Sequence, residues 1–210
     1  MSRKVVRLTV DNYLAIDAPC SDGLFWELDP VRRARVRPQE ALAEKEAWIS
    51  EVLRDWGSCG RVIEVDDEPV GFVLYAPPAF VPGAEGFPTA PVSPDAVVLT
   101  TGYVQPKHRW GGLGRMLIQG MARDLINRGG CVAVEAFGST KDSCQVLPVD
   151  FLGSVGFKTQ RAHPKTPRMR MELKSALTWR DEVEQALERL ARVLRPAPTG
   201  EVSRSDRPTR

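Results

Sequence analysis

Between Ala96 and Arg128 the chain passes from a β-branched apolar segment, through a glycine-dense turn, into an amphipathic helix. Few folds accommodate that passage. Ala96–Val104 reads as a strand. Leu113–Arg128 reads as a helix with Leu113, Met116, Leu117, Met121 and Leu125 on one face, and Gly129-Gly130 stops it. The turn between them is Arg109-Trp110-Gly111-Gly112-Leu113-Gly114-Arg115. The first amides of a helix lack intrahelical acceptors and point outward together, and the helix dipole adds partial positive charge there. Such an end suits a diphosphate. Glycine lets phosphate oxygens approach the main chain, and Arg109 and Arg115 can add charge-assisted hydrogen bonds.

Three phosphate-binding patterns compete for this turn. A P-loop requires Gly-Lys-Ser/Thr at its end, which is missing. A dinucleotide fingerprint requires a small residue three positions after Gly114, where Leu117 stands. The pattern Arg/Gln-x-x-Gly-x-Gly/Ala is met by Arg109, Gly112 and Gly114.

The flanking segments give an alternating order. Val5–Val10 reads as a strand and Tyr13–Asp17 as a short helix. A longer amphipathic helix runs from Pro38 to Trp56, and Arg61–Val65 with Val70–Tyr75 reads as a hairpin. The stretch 77–95 carries Pro77, Pro78, Pro82, Pro88, Pro91 and Pro94, so it cannot continue a sheet ladder. It is expected to be a surface excursion that serves as a lid. Cys131–Phe137 is a further strand, Pro148–Val155 a short helix, and Phe157–Gln160 and Arg168–Leu173 the last strands. The layout is mixed α/β (α+β), with helices covering one sheet.

With those neighbours, the turn resembles that of the GNAT N-acetyltransferases. Glu68–Tyr75 is similar to that family's strand after a hairpin, and Phe151-Leu152-Gly153-Ser154-Val155-Gly156-Phe157 to its late helix ending in Gly-Phe. The similarity runs from about Val5 to Leu173. It implies the GNAT fold: a mixed central sheet of six to seven strands, the fourth and fifth splayed, flanked by helices. It implies acetyl-CoA, or another acyl-CoA, as co-substrate and no metal. The diphosphate then sits on the amides of Arg109, Trp110, Gly111, Gly112, Leu113, Gly114 and Arg115, and main-chain groups of Tyr103 and Val104 pair with the pantetheine arm. An amine attacks the thioester directly, with the Val104 amide polarising the carbonyl. Glu135, on the strand beside the gap, is the first candidate base and Tyr103 the second polar candidate. Many relatives carry a tyrosine four residues before the Gly-Phe, where this chain has Leu152, so a dedicated tyrosine acid is not expected there.

Formal net charge is only +2, from 29 basic and 27 acidic side chains, which gives no electrostatic case for nucleic acid or membrane as main partner. Cys20, Cys59, Cys131 and Cys144, with His108 and His163, lack the clustering of a zinc site. The cysteines read as reduced thiols, and a start without an apolar h-region places the protein in the cytoplasm. The acceptor is a small-molecule or protein amine, its pocket built from Cys20–Leu28 and the loop 77–95 with Phe80 and Phe87. Asp22, Glu27 and Asp29 can attract a cationic amine but more commonly are solvated surface acids, and Phe25 and Trp26 are more commonly core than cage. Two other functions remain open at this stage: a CoA-binding sensor or partner-binding module without turnover, and a toxin that acetylates aminoacyl-tRNA, for which the basic run Arg32–Arg37 is the motive. Residues 1–174 are expected to form the acyltransferase domain, 175–195 a helical extension suited to homodimer contact, and 196–210 a disordered tail.

Overall fold

A computed structural model describes residues 2–174; the expected extension and tail lie outside the described residues. One sheet holds seven strands in the order β1 (Arg3–Arg7), β2 (Gly60–Val65), β3 (Glu68–Ala76), β4 (Ala96–Val104), β5 (Ala133–Phe137), β7 (Arg168–Glu172), β6 (Lys158–Arg161). Neighbours are antiparallel except β4 and β5, which are parallel. The helices are α1 (Val10–Leu14), α2 (Pro30–Arg33), α3 (Ala41–Asp55), α4 (Leu113–Arg128) and α5 (Val149–Ser154). This is the GNAT fold.

The first strand is shorter than its alternation predicts. Thr9 accepts from the Asn12 amide, and the Asn12 side chain accepts from the Thr9 amide. That reciprocal cap starts α1 at Val10, inside the predicted strand. The β2–β3 hairpin closes at Asp66-Asp67, whose φ values of 51° and 66° are those of a turn matched to strand twist.

Each sheet face has its own core. On one, Leu113, Leu117, Met121 and Leu125 of α4 pack against Val134 and Ala136, with Leu152 of α5. On the other, Trp48, Ile49 and Val52 of α3 meet Trp26, Phe72, Val98 and Phe137. The proline-rich stretch 77–95 belongs to this second core and is not a free excursion. Its Val81, Ala84 and Phe87 are buried, and the Phe87 ring stacks on Phe137 at 4.2 Å and on Trp26 at 5.2 Å. Proline keeps the segment out of the ladder, but its apolar side chains still leave water. A Cβ on Gly83 would lie 1.9 Å from the Phe25 carbonyl oxygen, so only glycine fits where this cover crosses the chain before α2.

The cysteines correct a second expectation. Cys20 and Cys144 form a disulfide across 124 residues of sequence. The thiol argument for a cytosolic location therefore lapses for this pair. Cys59 and Cys131 stay free, and burial pushes the Cys59 thiol up to about 12, which leaves it unreactive. Closing so long a loop restricts the unfolded chain by about 2–5 kcal/mol. Reduction, or Cys144→Ser, is expected to lower Tm by ~10 °C. Calorimetry with and without a phosphine reductant checks this; an unchanged Tm would show that the bridge adds nothing.

Candidate active site

Strand β4 delivers the chain to the glycine turn. Gly112 stands at the N-terminal end of α4 with φ 78°, the left-handed region where glycine is at ease. Having no side chain, it leaves the helix uncapped, and the first main-chain bond of the turn runs from the Met116 amide to the Gly112 carbonyl. Among the described residues no acceptor engages the amides of Gly112, Leu113 or Gly114. No acid lies in the first turn of α4. A Cβ on Gly112 would meet nothing within 4 Å, so the space beside the turn at Gly112 is open. Gly114 serves packing instead: a Cβ there would come within 2.9 Å of the Phe151 ring.

Arginines hold the turn in place. Arg3 of β1 donates to the Gly111 carbonyl at 2.8 Å, Arg109 Nε to the Val104 carbonyl at 3.1 Å, and Arg115 to the Ser154 carbonyl at 2.8 Å. Arg109 and Arg115 are exposed, so positive charge flanks the bare amides from both sides. This arrangement can receive a phosphate or diphosphate.

Beside the turn the sheet opens. β4 and β5 pair only over Ala96–Val98 and Ala133–Glu135, and β4 continues to Val104 without β5 as a neighbour. A bulge sets this up: Val73 pairs with Gly102 and Tyr75 with Leu99, so Thr100 and Thr101 together face Leu74. The Gln105 amide donates to the Val70 carbonyl at 2.9 Å. In an antiparallel ladder bonded and non-bonded pairs alternate. The next pair, Val104 with Gly71, is therefore non-bonded, and the Val104 N–H and C=O turn away from β3 toward the opening. Gly102 is turned the same way, whereas the main chain of Tyr103 is turned to β3. The main chain of Tyr103 is thus not turned to the gap as the sequence expectation had it, and of the two only Val104 directs its main-chain groups there.

The wider comparisons agree with this fold. The family model described as the acetyltransferase (GNAT) family matches residues 23–147. The chain belongs to the GNAT acetyltransferases. A search of curated proteins found no match. Among solved structures, aminoglycoside acetyltransferase AAC(6')-Ib in complex with coenzyme A superposes with TM-score 0.54 at 15% identity, covering 81% of this chain and 95% of that one. PaiA N-acetyltransferase from Thermoplasma acidophilum, in complex with coenzyme A, gives TM-score 0.51 at 11% identity, with 82% and 99% covered. An N-acetyltransferase from Staphylococcus aureus Mu50 gives 0.54 at 12%, with 82% and 99% covered. At these identities the likeness is one of fold.

Within this GNAT domain the two candidate catalytic side chains part company. Tyr103 is half-buried on the open half of β4, its ring 6.3 Å from that of Phe72, and no hydrogen bond among the described residues engages its hydroxyl. Glu135 is fully buried at the last position where β4 and β5 still pair. Ser93 donates to it twice, from Oγ at 2.5 Å and from its amide at 3.1 Å, and Arg168 and Arg170 lie at 3.1 and 3.2 Å. Both carboxylate oxygens are thus occupied and shielded from water. A base needs a lone pair that substrate or water can reach, so this environment fits a structural anion and not the expected base. Arg170 also pairs with Asp95, whose carboxyl it holds below the usual carboxylate range. The Arg168-Met169-Arg170 alternation is the sequence signal for this cluster, since it puts both arginines on one face of β7, the sheet face that Glu135 also occupies.

The acceptor side of this GNAT domain also redistributes its expected acids. Glu27 is buried against Lys45 of α3 at 2.5 Å, and Asp29 caps α2 by accepting from the Val31 and Arg32 amides. Of the three, only Asp22 is exposed. Trp26 belongs to the core, its indole donating to the Gln145 carbonyl at 2.6 Å. That bond and the Cys20–Cys144 bridge tie the strand-to-helix loop after β5 to the chain after α1. From the same loop Leu147 reaches to 3.2 Å of where a Gly102 Cβ would stand, so the loop packs against the open half of β4. No spacing rule could have paired Cys20 with Cys144. Among the described residues no metal-ligand cluster occurs, and no helix is long and apolar enough to cross a membrane.

Proposed function

We propose that this protein transfers an acetyl group from acetyl-CoA to a primary amine. The observation that carries the proposal is the row of unengaged amides at Gly112–Gly114 set beside the opening of β4 from β5. The Arg109 amide is taken by the Pro106 carbonyl at 3.2 Å, contrary to the sequence expectation, so the amides of residues 110–115 hold the diphosphate with the Arg109 and Arg115 side chains, and the Val104 N–H, turned to the opening, polarises the thioester carbonyl. The amine nitrogen forms the new C–N bond, the C–S bond breaks, and the thiolate takes a proton as it leaves. An alkyl ammonium has a pKa of about 10, so one proton must leave the acceptor before attack. With Glu135 enclosed, water in the opening takes that proton, the free Tyr103 hydroxyl donates to the departing thiolate, and the second proton that the nitrogen sheds after attack returns through water to the Tyr103 oxygen. Tyr103→Phe is expected to lower kcat about 10- to 100-fold with the acetyl-CoA Kd changed less than threefold. An equal loss in both would make Tyr103 a packing residue.

The acceptor in this reading is a small-molecule amine. Structures of AAC(6')-Ib hold paromomycin and ribostamycin, which are polyamine ligands of that protein. Asp22 is the one exposed carboxylate of the three acids expected at the acceptor side. The deciding experiment measures CoA thiol release from acetyl-CoA over a panel of aminoglycosides, polyamines and lysine peptides. Release with at least one amine supports the enzyme. Binding of acetyl-CoA without release over the whole panel favours a binding module, the reading that Leu152 keeps in view: it is fully buried where many relatives present a tyrosine.

A further inference from the structure

The cradle has an unusual rim. Trp110 is fully exposed, at 102%, more than any other large apolar side chain described. It also sits at φ 67°, a left-handed conformation that costs a non-glycine residue about 1–2 kcal/mol. The other described tryptophans are used by the fold. Trp26 and Trp48 are buried and donate to the carbonyls of Gln145 and Phe80, and Trp56 lies under the Arg128 guanidinium at 4.9 Å. Trp110 alone of these spends a large aromatic surface on water, at a strained position, two residues from Gly112.

Resting on the proposed acetyl-CoA site, we infer that the indole of Trp110 is the stacking surface for the adenine base of the donor. Three observations point the same way. Gly111 and Gly112 leave bare main chain between the indole and the amides of α4; a Cβ on Gly111 would meet only the Arg3 guanidinium and the His108 carbonyl, both at 3.6 Å, and one on Gly112 would meet nothing. A nucleotide whose diphosphate lies on those amides therefore finds no side chain in between. Its base, joined to the diphosphate through a single ribose, falls within reach of residue 110. Lys107 and Arg109, both exposed and within three residues of Trp110 in the same turn, supply positive charge suited to the further phosphate that the donor's ribose carries. Stacking of a base on an aromatic side chain is sequence-tolerant and needs no hydrogen bond, only an open face.

The test compares two donors and two variants by titration calorimetry. Acetyl-CoA carries the adenosine portion; acetyl-4'-phosphopantetheine lacks it. Trp110→Gly removes the ring and relieves the backbone, and Trp110→Phe keeps an aromatic face. The acetyl-CoA Kd is expected to rise about tenfold in Trp110→Gly and less than threefold in Trp110→Phe, with the acetyl-phosphopantetheine Kd unchanged by either. In the wild type, acetyl-CoA quenches tryptophan emission and acetyl-phosphopantetheine does not. An unchanged acetyl-CoA Kd in Trp110→Gly, or an equal rise for both ligands, overturns the stacking role while leaving the donor site intact. Failure of the wild type to bind acetyl-CoA overturns the donor site itself, and the stacking role with it.

Discussion

Gly112→Glu is expected to raise the acetyl-CoA Kd at least 100-fold while the domain stays folded. The carboxylate would project from the mouth of α4 into the space that the Gly112, Leu113 and Gly114 amides face, and no protein atom stands within 4 Å of its Cβ to turn it aside. A like charge about 4 Å from a phosphate costs ~4 kcal/mol at the effective dielectric of a protein surface, more than a 100-fold loss requires. A side chain at φ 78° also costs about 1–2 kcal/mol of backbone strain, so strain and charge must be separated. Gly112→Asn does this, because asparagine tolerates the left-handed region and carries no charge. The expected order of affinity is wild type, then Asn within about tenfold, then Glu without measurable binding. Titration calorimetry with circular dichroism as the folding control reads all three. A folded Gly112→Glu protein that binds acetyl-CoA as wild type does would remove the cradle from the site.

The passage from β4 through the glycine turn into α4 was the most legible part of the molecule. Its pattern is local: a strand, a glycine turn and a helix start are successive in sequence, and their physics needs no knowledge of the rest of the fold. The same holds for the helix α4, whose apolar stripe faces the sheet as its period predicts. What failed was non-local. The stretch 77–95 reads as a loop because proline removes donors, yet Phe87 closes it onto Trp26 and Phe137 from distant elements. Cys20 and Cys144 meet only because the loop after β5 folds back toward the chain after α1. Glu135 shows the sharpest form of the problem. Strand alternation places its side chain on the correct face, but alternation cannot say whether that face is wet.

The fate of Glu135 decides between two quite different roles, and Glu135→Gln separates them. Its carboxylate is the common partner of Arg168 and Arg170, whose side chains are only 11% and 13% exposed. Removing one member of a buried charged cluster leaves the others without compensation, at a cost of about 3–5 kcal/mol. Arg170 retains Asp95 and Glu172, so the burden falls on Arg168, which keeps the Pro91 carbonyl and whose Nε is already without a partner among the described residues. The same change weakens the anchor for Ser93, and with it the end of the cover that carries Phe87. The expected result is a Tm lowered by ~10 °C and, well below that temperature, a kcat within about threefold of wild type with an unshifted pH profile. A general base would behave in the opposite way, with an unchanged Tm and a kcat reduced about 10²- to 10⁴-fold. Thermal unfolding and the pH–rate profile, measured on one preparation, are enough to tell the anchor from the base.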